Sequence, residues 1–434
     1  MTVHVIETKA ERALAEQFRA VLPHLPGMRE RRAAAFATFE KTGLPSRRLE
    51  SWHYTDWKGR QRETLPLVEE PLADGLAIAS GLVDPFSGID AYNVLLVNND
   101  TTLLSEQPDQ VDVVDLVEAA RTGHPLMAHL GTAFPASADP MVALNEAMFV
   151  GGVVARLRKG ARLVKPAHAS ATAAAMVPSS VHARSLIIVE DGVELTLLDS
   201  VTGRDDIDFQ LSTVVEFIIG DNAKVEYITY NRAGARSQAF IGVGVRMGRN
   251  SQFNTVNFAH GVGFGRHQVH VAMAGEGSKL GVRGAALITG EQHFDHTLTV
   301  EHIAPGCESR ELFRTVVDGQ GTGVFQGKIV VRKEAQKTDG QMASNALLLS
   351  DDATMNNKPE LEIFADDVVC AHGATCGALD EELLFYLQAR GLPKKEAEAL
   401  MVQAFIGEVL EFVSHEEARE RLSGVVEGWL AGRG

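Results

Sequence analysis

Three residues near the end of a β-rich stretch carry donor atoms able to hold a transition metal: Cys370, His372 and Cys376. Thiolate sulfur and imidazole nitrogen suit zinc, copper and the iron of iron–sulfur clusters better than magnesium or calcium. The run 360–371 alternates as a strand, with Leu361, Ile363 and Ala365 on one face and Glu362, Phe364 and Asp366 on the other. If that strand continues, Cys370 and His372 share a face, their Cα atoms roughly 6.6–7 Å apart. Cys-x-His-x3-Cys is not a standard zinc spacing, and no second cysteine pair completes a structural site. Two readings therefore stay open on the residues alone: a ligand pair, or a small packed thiol beside a hydrogen-bonded histidine. Clusters are usually held by four ligands, so a stable site built here has to borrow some from another chain.

The elements that must position this pair read as follows. Residues 5–42 show two amphipathic helices, the first with Ala13, Leu14 and Phe18 at helical spacing, the second over 29–42 and stopped by Gly43. Trp52, Tyr54 and Trp57 follow; with no basic residues alternating among them they read as anchors for this arm rather than a nucleic-acid platform. Residues 61–149 are mixed, with a strand near 93–97 and a helix near 111–121. From 150 to 377 valine, isoleucine, threonine and phenylalanine alternate with polar residues. A turn recurs there at Gly192, Asn222, Asn250, Gly277 and Gly306, spaced 30, 28, 27 and 29 residues apart. A period of that size predicts a stacked repeat, here a parallel β-helix. Cys307 falls in the small-residue slot after this turn, with Val193, Ala223, Ser251 and Ser278, and reads as packing. Helical periodicity returns over 378–434, with Asp380 as an N-cap and a broad apolar stripe over 394–413. Such a unit can cover an open solenoid end or offer a groove to a partner. The domains expected are thus 1–60 helical, 61–149 connecting, 150–377 β-helix and 378–434 helical.

Composition removes several functions. There are 41 Lys plus Arg against 57 Asp plus Glu, a net charge of −16, which argues against nucleic-acid or anionic-membrane surfaces. Three cysteines in 434 residues make no disulfide framework and point to a reducing, cytoplasmic setting. The start has no secretory pattern, and no run of about 18 apolar residues appears. Gly323–Ile329 reaches Gly-Lys but enters a strand, so it is not a P-loop. His293 and Asp295 share a strand face near His296 and His302, a possible metal group or an ordinary polar row. A β-helix polysaccharide lyase would need a groove of acidic metal ligands and basic residues, usually after a signal peptide, and a β-helix acyltransferase a six-residue repeat; neither a signal nor that repeat is visible. A purely structural interaction module stays open as an alternative.

Several strings resemble the SufB/SufD family of iron–sulfur cluster assembly scaffold subunits. They are GLPSRRLESWHYTDW at 43–57, the Leu-Asn and Gly-Gly pairs within 143–166, Gly327-Lys328-Ile329, Gln341 with Asn345, NKPELEI at 357–363 and Cys-x-His-Gly-Ala-Thr from Cys370. The histidine in that last motif puts the resemblance on the SufD side. It implies a mainly β fold, a right-handed parallel β-helix core flanked by N-terminal and C-terminal α-helical regions. It implies a non-catalytic subunit that pairs with a SufB-like chain through the β-helix, with strands near 357–372 meeting edge to edge. A SufC-like ATPase is expected on the C-terminal helices, and a homodimer when the partner is missing. The cofactors implied are iron and a transient iron–sulfur cluster at the shared interface, with His372 as the metal ligand and Cys370 lining the same site. No role is carried onto Cys376.

Overall fold

A computed structural model describes residues 7–68, 79, 81–98, 100–103 and 105–433. Residues 1–6 of the expected N-terminal region, and part of the 61–149 connecting region, lie outside them.

The body is a parallel β-solenoid whose coils each place one strand in each of two sheets. The chain enters through β1 (Tyr92–Val97), β2 (Asp100–Leu103), β3 (Val111–Asp115), β4 (Val153–Leu157) and β5 (Ala167–Ala173). One sheet continues with β7 (Glu194–Gly203), β9 (Lys224–Arg232), β11 (Gln252–His260), β13 (Lys279–Ile288), β15 (Glu308–Val317), β17 (Asp339–Leu348) and β19 (Val369–Gly377). The other continues from β4 with β6 (Ser179–Val189), β8 (Phe209–Ile219), β10 (Gly234–Met247), β12 (Val262–Met273), β14 (His293–His302), β16 (Thr322–Val331) and β18 (Thr354–Ile363). All pairings between successive coils are parallel.

The recurrent turn sets the period. Gly192, Asn222, Asn250, Gly277 and Gly306 all have positive φ, between 51° and 70°. Glycine and asparagine visit this left-handed region most readily, which is why they recur. Each donates its N–H to the carbonyl just before the equivalent residue one coil on: Gly192 to Asp221, Asn222 to Arg249, Asn250 to Glu276, Gly277 to Pro305 and Gly306 to Gln336, at 2.7–3.1 Å. Lys337 continues the series, with φ 64° and its N–H on Asp367 O at 2.7 Å. The following slot is buried in every coil, and Cys307 fills it as packing, its Sγ 3.3 Å from Gly275 O and from Ser278 Oγ.

Helices cover both flanks. On the β6–β16 side lie α1 (Lys9–Val21), α2 (Arg29–Thr42), α3 (Trp57–Arg60) and, after α4 (Leu116–Thr122), α5 (Pro140–Met148). Thr8 and Glu11 form a capping box on α1, and Phe18 stacks on Phe36 at 4.0 Å. Trp52 and Trp57 are buried against Phe240 and Phe264, so they are anchors. Trp52 Nε1 donates to Asp139 at 2.8 Å, and Arg266 lies 3.7 Å over the Trp52 ring. On the β7–β15 side pack α7 (Lys394–Leu410) and α8 (Glu416–Ala431), with α6 (Glu381–Ala389) beside them.

The C-terminal helices correct two expectations. The stripe on α7 is turned inward: Val402, Ile406, Val409 and Leu410 pack against Val256, Phe258 and Leu287 and against α8, so it is not free for a partner. The unit lies on the solenoid's flank and leaves its last coil uncovered. α6 has no buried residue, and its Leu383, Phe385 and Tyr386 are exposed. Among the described residues, no helix is long and apolar enough to cross a membrane.

The left-handed turn gives a stability test. Lys337 is the one member of the series with a long β-carbon-bearing side chain, and its exposed pair with Asp367 contributes little. Lys337→Gly is expected to raise stability by about 1 kcal/mol in urea unfolding. A midpoint that stays put or falls contradicts the role assigned to this turn.

Candidate functional site

The expected strand over 360–371 is two strands. The chain turns from one sheet to the other between Ile363 and Val369, where Asp366 and Asp367 sit at the corner, so Cys370 and His372 belong to β19 rather than extending β18. Within β19 the two residues still share a face. Register identifies that face. Cys370 stacks on Gly340 and then Ser309; His372 stacks on Met342 and then Glu311. One coil further in, the same columns hold Leu280 and Val282, both in the solenoid core. Both side chains thus belong to the inward-facing rows of the last coil, where no further strand follows. His372 is exposed there and Cys370 half-buried.

The two ends of the solenoid are built differently. At the first coils β2 pairs antiparallel with β1, and β3 with β4, closing the stack. At the last, β18 and β19 each have one neighbour and present a free edge. Unpaired strand edges invite another chain. Ile363, Phe364 and Val369 are exposed at this rim.

Cys370 is set into a notch. A side chain on Gly340 would lie 3.4 Å from Ser309 Oγ and 3.7 Å from Cys370 Sγ, so the thiol and the hydroxyl face one another across an empty position. Ser309 Oγ also pairs with His302 Nε2 at 3.0 Å, and burial pushes His302 down to about 4, leaving its ring neutral. Burial raises the Cys370 thiol; the Gly340 backbone opposes this, and Asp339 and Glu311 add to it. Cys370 is therefore held as a thiol until something displaces its proton.

Other sequence candidates do not join the site. Cys376 is exposed, four residues along β19 from His372, or about 13 Å at strand rise. His293 and Asp295 face the N-terminal arm, where Thr55 contacts both and Asp295 pairs with Arg266 at 3.0 Å. His296 faces inward and bonds Asn257 at 2.9 Å. These three polar residues are used by the fold on opposite faces of one strand. Asn345 and Asn357 tie the last coils together: Asn345 Nδ2 donates to Thr375 Oγ1 at 2.5 Å, and Ser344 Oγ donates to Asn357 Oδ1 at 2.6 Å. Among the described residues, no three of His, Cys, Asp and Glu converge as a complete metal site.

The residue that motif reading passed over is Glu311. It is 3% exposed and neither carboxyl oxygen has a hydrogen-bond partner. Burial pushes its pKa up to about 8, outweighing the opposing pulls of Ser309, Arg310 and Arg283. The one available signal was parity, since Ser309, Glu311 and Phe313 share the inward face of β15.

The fold is a two-flanked parallel solenoid that ends in an open coil carrying a thiol and an imidazole. Residues 170–405 match the family described as SUF system FeS cluster assembly, SufBD core domain, and residues 14–168 match the SufBD protein N-terminal region. The chain belongs to the SufBD family of iron–sulfur cluster assembly proteins. Within it the chain is SufD-like. It is 26% identical to the iron–sulfur cluster assembly protein SufD of Escherichia coli, over 88% of each chain. Against SufD of Bacillus subtilis it is 25% identical, again over 88% of each. A SufBD family protein of Synechocystis is 27% identical over 87% of this chain and 86% of its own.

Glu311 makes stability depend on pH with a defined sign. Its folded value, about 8, lies above the ordinary 4.5, so its contribution is fully present below pH 4.5 and is lost as pH rises through 8. Glu311→Gln keeps the shape and removes the titration. The variant is expected to melt like the wild type near pH 4.5 and progressively above it toward pH 8, a gap on the order of a few kcal/mol. A gap independent of pH contradicts the neutral buried acid.

Proposed function

We propose that this chain is the SufD half of a paired iron–sulfur scaffold and that its open last coil is where a nascent cluster is held. The observation that carries this is the placement of Cys370 and His372 together on the inward face of an unpaired terminal strand. Neutral imidazole can ligate iron as it stands, whereas the raised Cys370 thiol must first give up a proton. His372 is accordingly the metal ligand contributed by this chain, and Cys370 lines the same interface in support. The remaining ligands come from a SufB-like chain whose β-helix pairs with the β18 and β19 edges; a second copy of this chain meets the same edges when that partner is missing. Iron and the cluster are cargo assembled at this junction. The chain supplies ligands and surface rather than a reaction of its own.

ATP hydrolysis belongs to a SufC-like partner recruited by the C-terminal helices. With the α7 stripe buried, the supporting surface is α6, where Leu383, Phe385 and Tyr386 are exposed, as is Leu400 of α7. Exposed aromatic and aliphatic groups of this kind serve as interface anchors.

In the reconstituted complex, His372→Ala is expected to leave assembly and the thermal melt intact while iron and acid-labile sulfide fall below half of the wild-type content. Cys370→Ser should lose less. Wild-type cluster content in the His372 variant, or a collapse of its melting temperature, returns His372 to a structural role.

Removing residues 378–434 would strip the flank of the solenoid, so docking is better tested with Phe385→Ser. That change should weaken ATPase binding about 10-fold or more by calorimetry, without altering pairing to the SufB-like chain. Unchanged affinity places the docking surface elsewhere.

A further inference from the structure

Beneath His372 the solenoid holds a carboxyl group that the fold leaves without a partner. Glu311, Met342 and His372 lie in the inward-facing row of the last coils, on the opposite side of the sheet from Arg310 and Gln341. Glu311 and His372 occupy one column with Met342 between them, so their Cα atoms stand two strand spacings apart, roughly 9–10 Å. The Met342 side chain reaches across the interior, its sulfur 2.3 Å from where a side chain on Gly327 would begin. A glutamate arm and an imidazole arm can close the remaining gap around a single ion. Leaving both oxygens of a buried carboxyl unbonded is costly, and a well-packed apolar residue would fill this place more stably.

The groups around Glu311 fit a cation better than an anion. Ser309 is beside it on β15, His302 of β14 is held neutral by burial, and β19 brings Cys370 and His372. On the outer face the charges are already engaged. Arg310 is held by Asp339 Oδ2 at 2.5 Å and Asp339 O at 3.0 Å, and Arg283 lies 3.9 Å over the Phe412 ring.

We propose that Glu311 is an inner cation-holding residue of the open coil, receiving a divalent transition-metal ion together with His372 and exchanging its own proton for that ion. The reaction balances as carboxylic acid plus metal dication giving metal-bound carboxylate and one proton released through the open mouth. This rests on the reading of His372 as a ligand. It adds that the inward side of this chain takes up metal itself, with a carboxyl group that stays neutral while the site is empty. The rise of the Glu311 pKa to about 8 agrees with that state, since burial outweighs the pull of Ser309, Arg310 and Arg283 toward the ionised form.

The test uses the full chain and Co²⁺ as probe. Calorimetric titrations at pH 7 in buffers of differing ionisation enthalpy give both affinity and protons released, and the Co²⁺ absorption spectrum reports the donor set. Wild type is expected to bind Co²⁺ and release about one proton more than Glu311→Gln, whose affinity should fall about 10-fold or more. Glu311→Gln is expected to melt no lower than wild type, and a melt that does so shows that lost affinity is not misfolding. Equal affinity and proton count in the two proteins, or no Co²⁺ binding by the wild type, overturns the proposal. His372→Ala separates the two ideas. Loss of binding in that variant with wild-type behaviour in Glu311→Gln removes Glu311 alone; the converse removes His372 as ligand and leaves Glu311 holding the ion.

Discussion

The structure depends on one repeated hydrogen bond, from a left-handed turn residue to the carbonyl preceding its equivalent in the next coil. It runs from Gly192 to Lys337 without a break and fixes a coil of about 30 residues. Because each coil is satisfied by the next, a stack of this kind has two ends at which backbone groups have no partner. Antiparallel β2 and β3 settle the first end. The second end presents two unpaired strand edges, and Cys370 and His372 sit on its last strand. If the proposed cluster site is here, function and unmet hydrogen bonding share a location.

The flanking helices make that arrangement durable. The N-terminal arm is locked to one sheet by Trp52 and Trp57 and by a buried set that joins Asp139, Arg266 and Asp295. Burial raises the Asp139 carboxyl even though Arg266 and Trp52 pull the other way. The C-terminal helices lock to the opposite sheet through α7 and α8. With both faces covered, the last coil can stay open without the solenoid unravelling. The same division leaves α6 free to meet something other than this chain.

Much of this was legible in the residues, for physical reasons that differ from part to part. The coil period could be read because a left-handed turn selects glycine or asparagine, and it faded at Lys337, where a lysine adopts that geometry. Cys307 could be assigned to packing because its slot was small in every other coil. The break between β18 and β19 was missed because alternation describes a strand but does not reveal a corner, and Asp366-Asp367 carries no glycine to mark one. The α7 stripe was visible, but which surface it covers is a tertiary fact. Glu311 stood at core parity next to Phe313; only its burial without a partner makes it a candidate for chemistry. His372 and Cys370 were found through their atom types, and register then supplied the inward direction that spacing alone left open.

The central claim is that the open coil is completed by a second chain, and amide hydrogen exchange measures this most directly. Alone, Thr354–Ile363 and Val369–Gly377 should exchange faster than the interior strands β9 to β15, because each has one unpaired edge. On adding the SufB-like partner, both segments should become protected while the exposed face of α6 stays unchanged. A complex that forms with no added protection in either segment contradicts the account.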